Sequence, residues 1–244
     1  VCSAAIAVLV LAAVALAVDE SNPLAGINPF DRIEVQAHRG DSVSAPENTM
    51  PAFEAAIEHG ADWIELDVHQ TADGVIVVTH DADLKRIAGV NKSVWELTYA
   101  ELEQYDTGSW FDPEFSYVRV STLDEVIQAA KGKIKLNIEL KPTGHERDFE
   151  ANVIKIVRDN AFADDCVLAS LNYPCLENIR RLDPEIKTLY IMTLAIGDLT
   201  RFSAADHFSL EATNITADLL GRMHAGGHQV FAWTVNAEEH VERM

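Results

Sequence analysis

The chain has 244 residues, of which 48% are hydrophobic and 24% are charged, and its formal net charge is −20. This length and apolar content suffice for one large core, so a single domain of barrel size is the natural interpretation. The negative charge argues against nucleic acid as a partner, because a polyanion would be repelled. A phosphate-bearing substrate would therefore depend on a few well-placed cationic side chains or on a metal ion.

The three cysteines, Cys2, Cys166 and Cys175, lack the close pairing that is typical of a zinc site. We expect Cys166 and Cys175 to be buried thiols. Pairing between them in an oxidising compartment is the alternative, and the sequence gives no disulfide prediction.

Residues 1–18 form an unbroken, alanine-rich apolar run. About 20 such residues span a bilayer, so the run predicts a transmembrane segment. The alternative is the apolar part of a signal peptide, with Ala15 and Ala17 resembling a cleavage site. Residues 19–31 are predicted to be a linker, and their acidic character favours an extracytoplasmic position for the domain at residues 32–244.

From residue 33 the chain alternates strand-like and helix-like segments, which is the pattern of an α/β fold with parallel strands. The predicted elements up to residue 140 are strand 33–38, helix 49–58, a hairpin at 63–81, an insertion at about 82–121, helix 122–131 and strand 134–140. The predicted elements beyond it are helix 148–160, strand 167–171, helix 174–182, strand 187–192, helix 200–207, a weak strand at 213–215, helix 217–225, strand 229–235 and a helix from 237. Closure into a TIM (β/α)8-type barrel is the expected fold.

The hairpin at residues 61–81 carries two acidic residues on one face. Because side chains at i and i+2 of a strand share a face, Glu65 and Asp67 project together. Asp73-Gly74 is a strong turn signal, and folding there pairs residues whose numbers sum to about 147, within a residue or two. His80 would then lie opposite Asp67, which predicts an acid/base or metal site.

Three successive predicted strands end in residues that are capable of chemistry. The first strand is followed by His38-Arg39, the second contains Glu65 and Asp67, and the strand at 134–140 is followed by Lys141 after Glu139. In a barrel these ends meet at one face, where the active site lies. We therefore predict a site there, and we expect the neighbouring His69 to be a surface residue of the hairpin.

Several motifs carry a more specific resemblance. They are His38-Arg39-Gly40, Ala45-Pro46-Glu47-Asn48-Thr49, Gly60-Ala61-Asp62, Glu65-Leu66-Asp67-Val68, Asp73-Gly74, His80-Asp81, Glu139-Leu140-Lys141 and Trp233-Thr234-Val235-Asn236. In this order they resemble the glycerophosphodiester phosphodiesterase family, over residues 33–244. The apolar run resembles the branch in which a bacterial membrane domain precedes the barrel.

The resemblance implies hydrolysis of a glycerophosphodiester to sn-glycerol 3-phosphate and an alcohol, with one divalent cation, Mg²⁺ or Ca²⁺. It gives seven of the quoted residues a direct role. The implied metal ligands are Glu65, Asp67 and Glu139, the acid/base pair is His38 and His80, and the phosphate-binding residues are Arg39 and Lys141. We assign His38 as base and His80 as acid.

The resemblance also implies supporting residues. Glu47 would hold Arg39 or contribute to the metal shell, and Trp233 would either line the substrate pocket or pack in the core. In the insertion, Trp110 and Phe111 would cover the pocket or pack the insertion onto the barrel.

One departure from the family concerns the end of the chain. The sequence stops at Met244, before the segment with which the family closes its barrel, so the eighth strand is expected to be truncated.

Two other functions compete with the diesterase. One is a phospholipase D-like or phosphoinositide-cleaving barrel that acts on intact membrane lipid, and the other is a binding module without catalysis.

Overall fold

A single sheet organises the protein, for which a computed structural model describes residues 33–236 and residue 241. Its strands are β1 Gln36–His38, β2 Trp63–Gln70, β3 Ile76–Val78, β4 Lys135–Leu140, β5 Cys166–Ser170, β6 Thr188–Met192, β7 His207–Glu211 and β8 Val230–Trp233. Seven strands are parallel in the order β1-β2-β4-β5-β6-β7-β8, and β3 pairs antiparallel with β2. Parallel strands in sequential order are the arrangement of a TIM-type barrel.

Helices connect the parallel strands. They are α1 Met50–Glu58, α2 Lys85–Ala88, α3 Tyr99–Leu102, α4 Leu123–Ala130, α5 Phe149–Asp159, α6 Tyr173–Leu182 and α7 Ala217–Ala225. Their starts follow local chemistry: the Thr122 hydroxyl accepts the Glu125 backbone N–H of α4, and the Glu125 carboxylate accepts the Thr122 backbone N–H. This reciprocal capping satisfies two backbone donors that the first turn would otherwise leave unpaired.

The main core lies between the helices and one face of the sheet. Even-numbered residues of β2 and β4 supply the sheet side, including Leu66 and Ile138, which are fully buried. The apolar stripe of α4, with Val126 and Ile127, supplies part of the helix side. A parallel strand that is covered by helices reads as a row of large aliphatic residues on that face.

The opposite face of the sheet changes character along the strands. Near the amino ends, Trp63, Val167 and Leu189 form a separate apolar cluster. Further along the same face of β2, toward the carboxyl end, lie Glu65 and Asp67. The alternation of β2 therefore directs its carboxylates to one end of the barrel interior, above an apolar plug.

The insertion at about 82–121 has a small core of its own. Leu84, Ile87, Val94, Leu97 and Leu102 are buried together against β3. The segment returns to the sheet where the Val78 backbone N–H donates to the Ser121 carbonyl at 2.9 Å. Short helical turns, including Val94–Glu96 and Pro113–Phe115, supply its regular structure, so the poorly periodic sequence is a folded layer at the end of β3.

The structure corrects the sequence-based prediction between β6 and α7. The helix at 200–207 and the strand at 213–215 are wrong, because β7 occupies His207–Glu211 and a 3₁₀ turn occupies Ala212–Asn214. Phe208 and Leu210 of β7 are fully buried, so tertiary packing selects the strand. The short apolar alternation at this position was too weak to identify from sequence.

The hairpin differs from its predicted register by one residue. Val68 pairs with Val78, so partner numbers sum to 146, and the Thr79 N–H donates to the Asp67 carbonyl at 3.0 Å. The shift lies within the margin that was allowed for a short hairpin, because the five-residue loop is longer than a tight two-residue turn.

The predictions for the chain ends fall outside the described residues. They are the transmembrane segment at 1–18, the linker at 19–31 and the helix from 237. Among the helices of residues 33–236, none combines the length and apolar character needed to cross a membrane.

Both cysteines of the described part are free and buried, as expected. Burial raises the pKa of Cys166 to about 12 and also raises that of Cys175. Such thiols stay protonated at neutral pH and behave as small apolar core residues.

We predict that Leu66→Ala destabilises the protein and that Leu194→Ala does not. Leu66 is fully buried in the main core, whereas Leu194 is 59% exposed. Truncation should cost about 2–5 kcal/mol at Leu66 and less than about 0.5 kcal/mol at Leu194. Thermal and urea unfolding followed by circular dichroism would measure both, and equal midpoints for the two variants would contradict the packing described above.

Candidate active site

Three carboxylates meet at the carboxyl ends of β2 and β4. The parallel register places Asp67 beside Glu139, and Glu65 precedes Asp67 on the same face. Oxygen atoms of Glu65, Asp67 and Glu139 lie within 4.8 Å of one another, and all three residues are buried. The structure thus brings together the three predicted ligands.

Crowding and burial oppose ionisation of this acidic cluster. Burial, followed by the charges of Asp67 and Glu139, raises the pKa of Glu65 well above its usual value. Burial and the charge of Asp67 raise the pKa of Glu139 to about 7. A divalent cation would remove this repulsion, and oxygen donors of this kind suit a hard ion such as Mg²⁺ or Ca²⁺. The donor set therefore fits the implied metal.

Two cationic side chains border the acidic cluster, Arg39 from the loop after β1 and Lys141 from the end of β4. The Lys141 Nζ donates to Asp67 Oδ1 at 3.2 Å, and the Arg39 Nε lies 3.7 Å from Asp67 Oδ2. The Arg39 guanidinium also donates to Glu47 Oε1 at 2.9 Å, so the predicted contact between Glu47 and Arg39 is present. The buried Arg39 Nε has no hydrogen-bond partner among the described residues, which leaves a donor for a ligand.

The loop after β1 adopts unusual backbone angles that serve this arrangement. Arg39 has φ 61°, a left-handed conformation, and its backbone N–H donates to Glu65 Oε2 at 2.9 Å. Gly40 has φ +80°, and a Cβ there would lie 2.8 Å from the carbonyl carbon of Ala52 in α1. Only glycine fits this close approach, which seats the loop on α1. Strained backbone of this kind is often found at functional sites.

Asn48 belongs to the site, although the sequence analysis assigned it no role there. Its Nδ2 donates to Asp67 Oδ2 at 2.8 Å, and its Oδ1 accepts the Asp67 backbone N–H at 3.2 Å. The residue is buried and has φ 57°, a conformation that asparagine tolerates better than most residues. The sequence signal for this role was its position between Glu47 and Thr49 in one of the quoted motifs.

The two predicted acid/base histidines lie at the edge of this cluster. The His38 Nε2 is 3.7 Å from Glu65 Oε2, and partial burial together with the charge of Arg39 lowers the pKa of His38. The His80 Nδ1 lies 2.7 Å from Asp81 Oδ1. One ring nitrogen of His80 is thus engaged by a carboxylate, which leaves Nε2 for proton transfer.

The surface position predicted for His69 is wrong. Residues 65, 67 and 69 share a face of β2, and His69 is only 2% exposed. Its Nε2 lies 3.2 Å from the His80 carbonyl oxygen, and burial lowers its pKa. His69 therefore supports the backbone that carries His80.

The aromatic candidates lie in two places. Trp233, at the carboxyl end of β8, is partly buried and packs against the apolar cluster on the inner face of the sheet. In the insertion, the centre of the Trp110 ring lies 5.3 Å from the Arg86 guanidinium. The Phe111 ring packs edge-on against the Trp110 ring. Trp110 is 39% exposed, so it packs on the insertion and is also accessible from solvent.

This fold, with oxygen ligands and basic residues at the carboxyl ends of its strands, defines a barrel hydrolase of the phosphoester type. The model of the glycerophosphoryl diester phosphodiesterase family matches residues 38–244. The chain belongs to this family.

Individual relatives agree with the family match. A glycerophosphodiester phosphodiesterase of Caldanaerobacter subterraneus is 33% identical over 215 residues, covering 86% of this chain and 88% of that protein. A phosphodiesterase structure of Oleispira antarctica, solved with the product sn-glycerol-3-phosphate, has a TM-score of 0.80 at 29% identity and covers 86% of this chain and 88% of its own. A glycerophosphodiester phosphodiesterase structure of Thermotoga maritima has a TM-score of 0.71 at 26% identity, covering 87% and 90% of the two chains. These likenesses confirm the barrel-like fold.

We predict that Asn48→Ala destabilises the protein by about 2–4 kcal/mol, because it leaves two buried groups of Asp67 without a partner and places alanine at positive φ. Asn48→Gly is the matched control, since it removes the same hydrogen bonds but tolerates this backbone conformation. Urea unfolding would show the glycine variant between wild type and the alanine variant. Identical unfolding curves for wild type and both variants would contradict a stabilising role for the two hydrogen bonds between Asn48 and Asp67.

The acidic cluster also predicts a pH dependence for the metal-free protein. Because the pKa of Glu139 is raised from 4.5 to about 7 on folding, its stabilising contribution is present at low pH and is lost as the pH rises through about 7. In EDTA, Glu139→Gln should therefore unfold at a higher temperature than wild type at about pH 8, and the difference should shrink at about pH 5.

Thermal unfolding with and without a divalent cation completes this test. Mg²⁺ or Ca²⁺ should raise the unfolding temperature of wild type more than that of Glu139→Gln. A wild-type protein that is indifferent to both cations and to pH would contradict the metal-site assignment.

Proposed function

We propose that this protein, a glycerophosphodiester phosphodiesterase by family, hydrolyses glycerophosphodiesters to sn-glycerol 3-phosphate and an alcohol with the aid of a divalent cation. One observation carries the proposal. The buried carboxylate cluster of Glu65, Asp67 and Glu139 lies beside two basic side chains and two histidines at one end of the barrel. This combination suits an anionic phosphodiester that gains charge during reaction.

Glu65, Asp67 and Glu139 would hold the cation. When bound, such a cation polarises a phosphoryl oxygen and offsets the negative charge that develops on it.

Arg39 and Lys141 would bind the phosphate. Both lie at the rim of the acidic cluster, and Arg39 has an unpartnered donor at Nε. Guanidinium and ammonium groups stabilise a phosphate best where water is excluded, and each of these side chains is about one-fifth exposed. Glu47 holds the guanidinium from the other side.

His38 would act as the base and His80 as the acid. His38 would take the proton of the attacking oxygen, which belongs either to a water or to the neighbouring glycerol hydroxyl. In the second case a cyclic phosphate would form first, and a water would then open it to glycerol 3-phosphate. His80 would deliver a proton from Nε2 to the leaving alkoxide while Asp81 holds its Nδ1. The bond from phosphorus to the leaving oxygen then breaks with no free alkoxide formed.

A second candidate function, action on intact membrane lipid, has one supporting observation. Leu171, Leu194 and Ile196 lie on the loops that follow β5 and β6, at the same end of the barrel as the site, and each is more than half exposed. Apolar side chains around a mouth suit acyl chains. Parallel assays on phosphatidylcholine and on glycerophosphocholine would separate the two functions.

We also propose that residues 1–18 attach the protein to a membrane, with the catalytic domain on the extracytoplasmic side. The proposal is supported by the apolar run and by the acidic flank that follows it. Carbonate extraction and protease accessibility in spheroplasts would test it. Release of a mature protein that starts after Ala17 would indicate a signal peptide instead.

The diesterase proposal predicts that His38→Ala and His80→Ala each lower glycerol 3-phosphate release from glycerophosphocholine by roughly 10²–10⁴-fold. His224→Ala is the control, because His224 lies exposed on α7, away from the site. EDTA should abolish the wild-type activity, and Mg²⁺ or Ca²⁺ should restore it. Full activity in either site variant, or in EDTA, would refute this mechanism.

The choice of leaving group tests which histidine is the acid. A glycerophosphodiester of p-nitrophenol leaves without needing a proton, so His80→Ala should lose far less activity on it than on glycerophosphocholine. His38→Ala should lose activity on both substrates. The reverse pattern would exchange the two assignments.

A further inference from the structure

Arg86 connects two parts of the site that lie far apart along the chain. Its Nε donates to Asp81 Oδ2 at 2.7 Å, and one terminal nitrogen donates to Glu47 Oε1 at 2.7 Å. The second oxygen of Asp81 lies 2.7 Å from the His80 Nδ1, and the same Glu47 oxygen accepts from Arg39 at 2.9 Å. An unbroken series of hydrogen bonds therefore runs from His80 to Arg39 with Arg86 at its centre.

The charges along this series fix the hydrogen on His80. Burial alone would raise the pKa of Asp81, but hydrogen bonds from Arg86 and His80 lower it. Asp81 is thus ionised at neutral pH and accepts hydrogen bonds only, so the His80 Nδ1 carries the hydrogen. Two carboxylates, Asp81 and Glu47, share one guanidinium whose planar fork suits two acceptors at once.

The insertion holds Arg86 in place. Arg86 lies on the short helix α2, and its neighbour Ile87 is buried in the small core of the insertion. The guanidinium lies 5.3 Å from the centre of the Trp110 ring, and the Trp110 Nε1 donates to the Thr107 carbonyl at 2.9 Å. Both the backbone and the head group of Arg86 are therefore anchored outside the barrel.

We propose that Arg86 is a positioning residue for the reaction, through which the insertion orients His80 and Arg39 together. The inference rests on the proposed roles of these two residues. Arg86 acts on His80 through Asp81 and on Arg39 through Glu47. Loss of Arg86 would free both carboxylates to turn away, and small misplacements of reacting groups are costly to a rate.

The first test compares Arg86→Ala with Arg158→Ala in the full chain. Arg158 is a matched control, because it also donates to two carboxylates, those of Asp183 and Glu185, and its side chain is 39% exposed against 40% for Arg86. We expect kcat on glycerophosphocholine to fall about 10–100-fold in Arg86→Ala only. KM should change less, since Arg39 and Lys141, the proposed phosphate-binding residues, remain in the variant.

Rescue separates positioning from folding. Millimolar guanidinium chloride should restore part of kcat in Arg86→Ala and should have no such effect on Asp81→Asn. Arg86→Lys keeps the charge and should fold, but it cannot serve both carboxylates in the same geometry, so its kcat should also fall. Circular dichroism of each variant confirms folding.

A double-mutant comparison tests the route through Asp81. Asp81→Asn should lower kcat. Arg86→Ala should then lower kcat by a much smaller factor in the Asp81→Asn variant than in wild type, because both changes act on His80. Multiplicative losses would overturn the inference, as would a kcat of Arg86→Ala equal to that of Arg158→Ala while wild type is active and His80→Ala is not. An inactive wild type on every diester would overturn the proposed function itself.

Discussion

The site depends on one electrostatic constraint, the confinement of three carboxylates in a buried space. Oxygens of Glu65, Asp67 and Glu139 approach within 4.8 Å of one another. Like charges at this separation in a medium of low dielectric repel strongly, and burial together with this repulsion raises the pKa values of Glu65 and Glu139. A bound divalent cation would offset this repulsion, which supports the proposal that the cluster holds one.

Asp67 is the member of the cluster that the surroundings hold most firmly. Its side chain contacts Asn48, Lys141 and Arg39, and its backbone N–H donates to Asn48. These groups come from the loop after β1 and from the end of β4, on either side of β2. If Asp67 binds the proposed cation, these contacts from both neighbouring strands would fix the position of its carboxylate, as residues around a metal ligand usually do.

The insertion completes the site from outside the barrel. Its small core packs against β3, and β3 continues directly into His80 and Asp81. His69 supports this turn from below through the His80 carbonyl, and Arg86 approaches it from above. His80, the proposed acid, therefore lies at a junction between two packed units, so changes within the insertion would alter the proposed proton transfer without any contact to substrate.

Local sequence determined the chemistry and most of the fold of this protein. Alternation at i and i+2 predicted that Glu65 and Asp67 lie on one face. The positions of His38 and Lys141 at the ends of neighbouring strands predicted that both lie near this pair. The order of strands and helices could also be predicted, because the hydrophobic periodicity of a long segment distinguishes a helix from a strand. The failure between residues 200 and 215 occurred where the periodic signal was short and burial of Phe208 and Leu210 made the choice.

Only the tertiary structure decided which residues surround these groups. Asn48 meets Asp67, and Arg86 meets Glu47, across separations of 19 and 39 residues, and no periodicity relates such positions. The burial of His69 followed from the same alternation as its neighbours, but its contact with the His80 carbonyl required the hairpin register. Sequence specifies side-chain chemistry and local conformation, whereas hydrogen bonds between distant segments depend on how the sheet and the insertion pack.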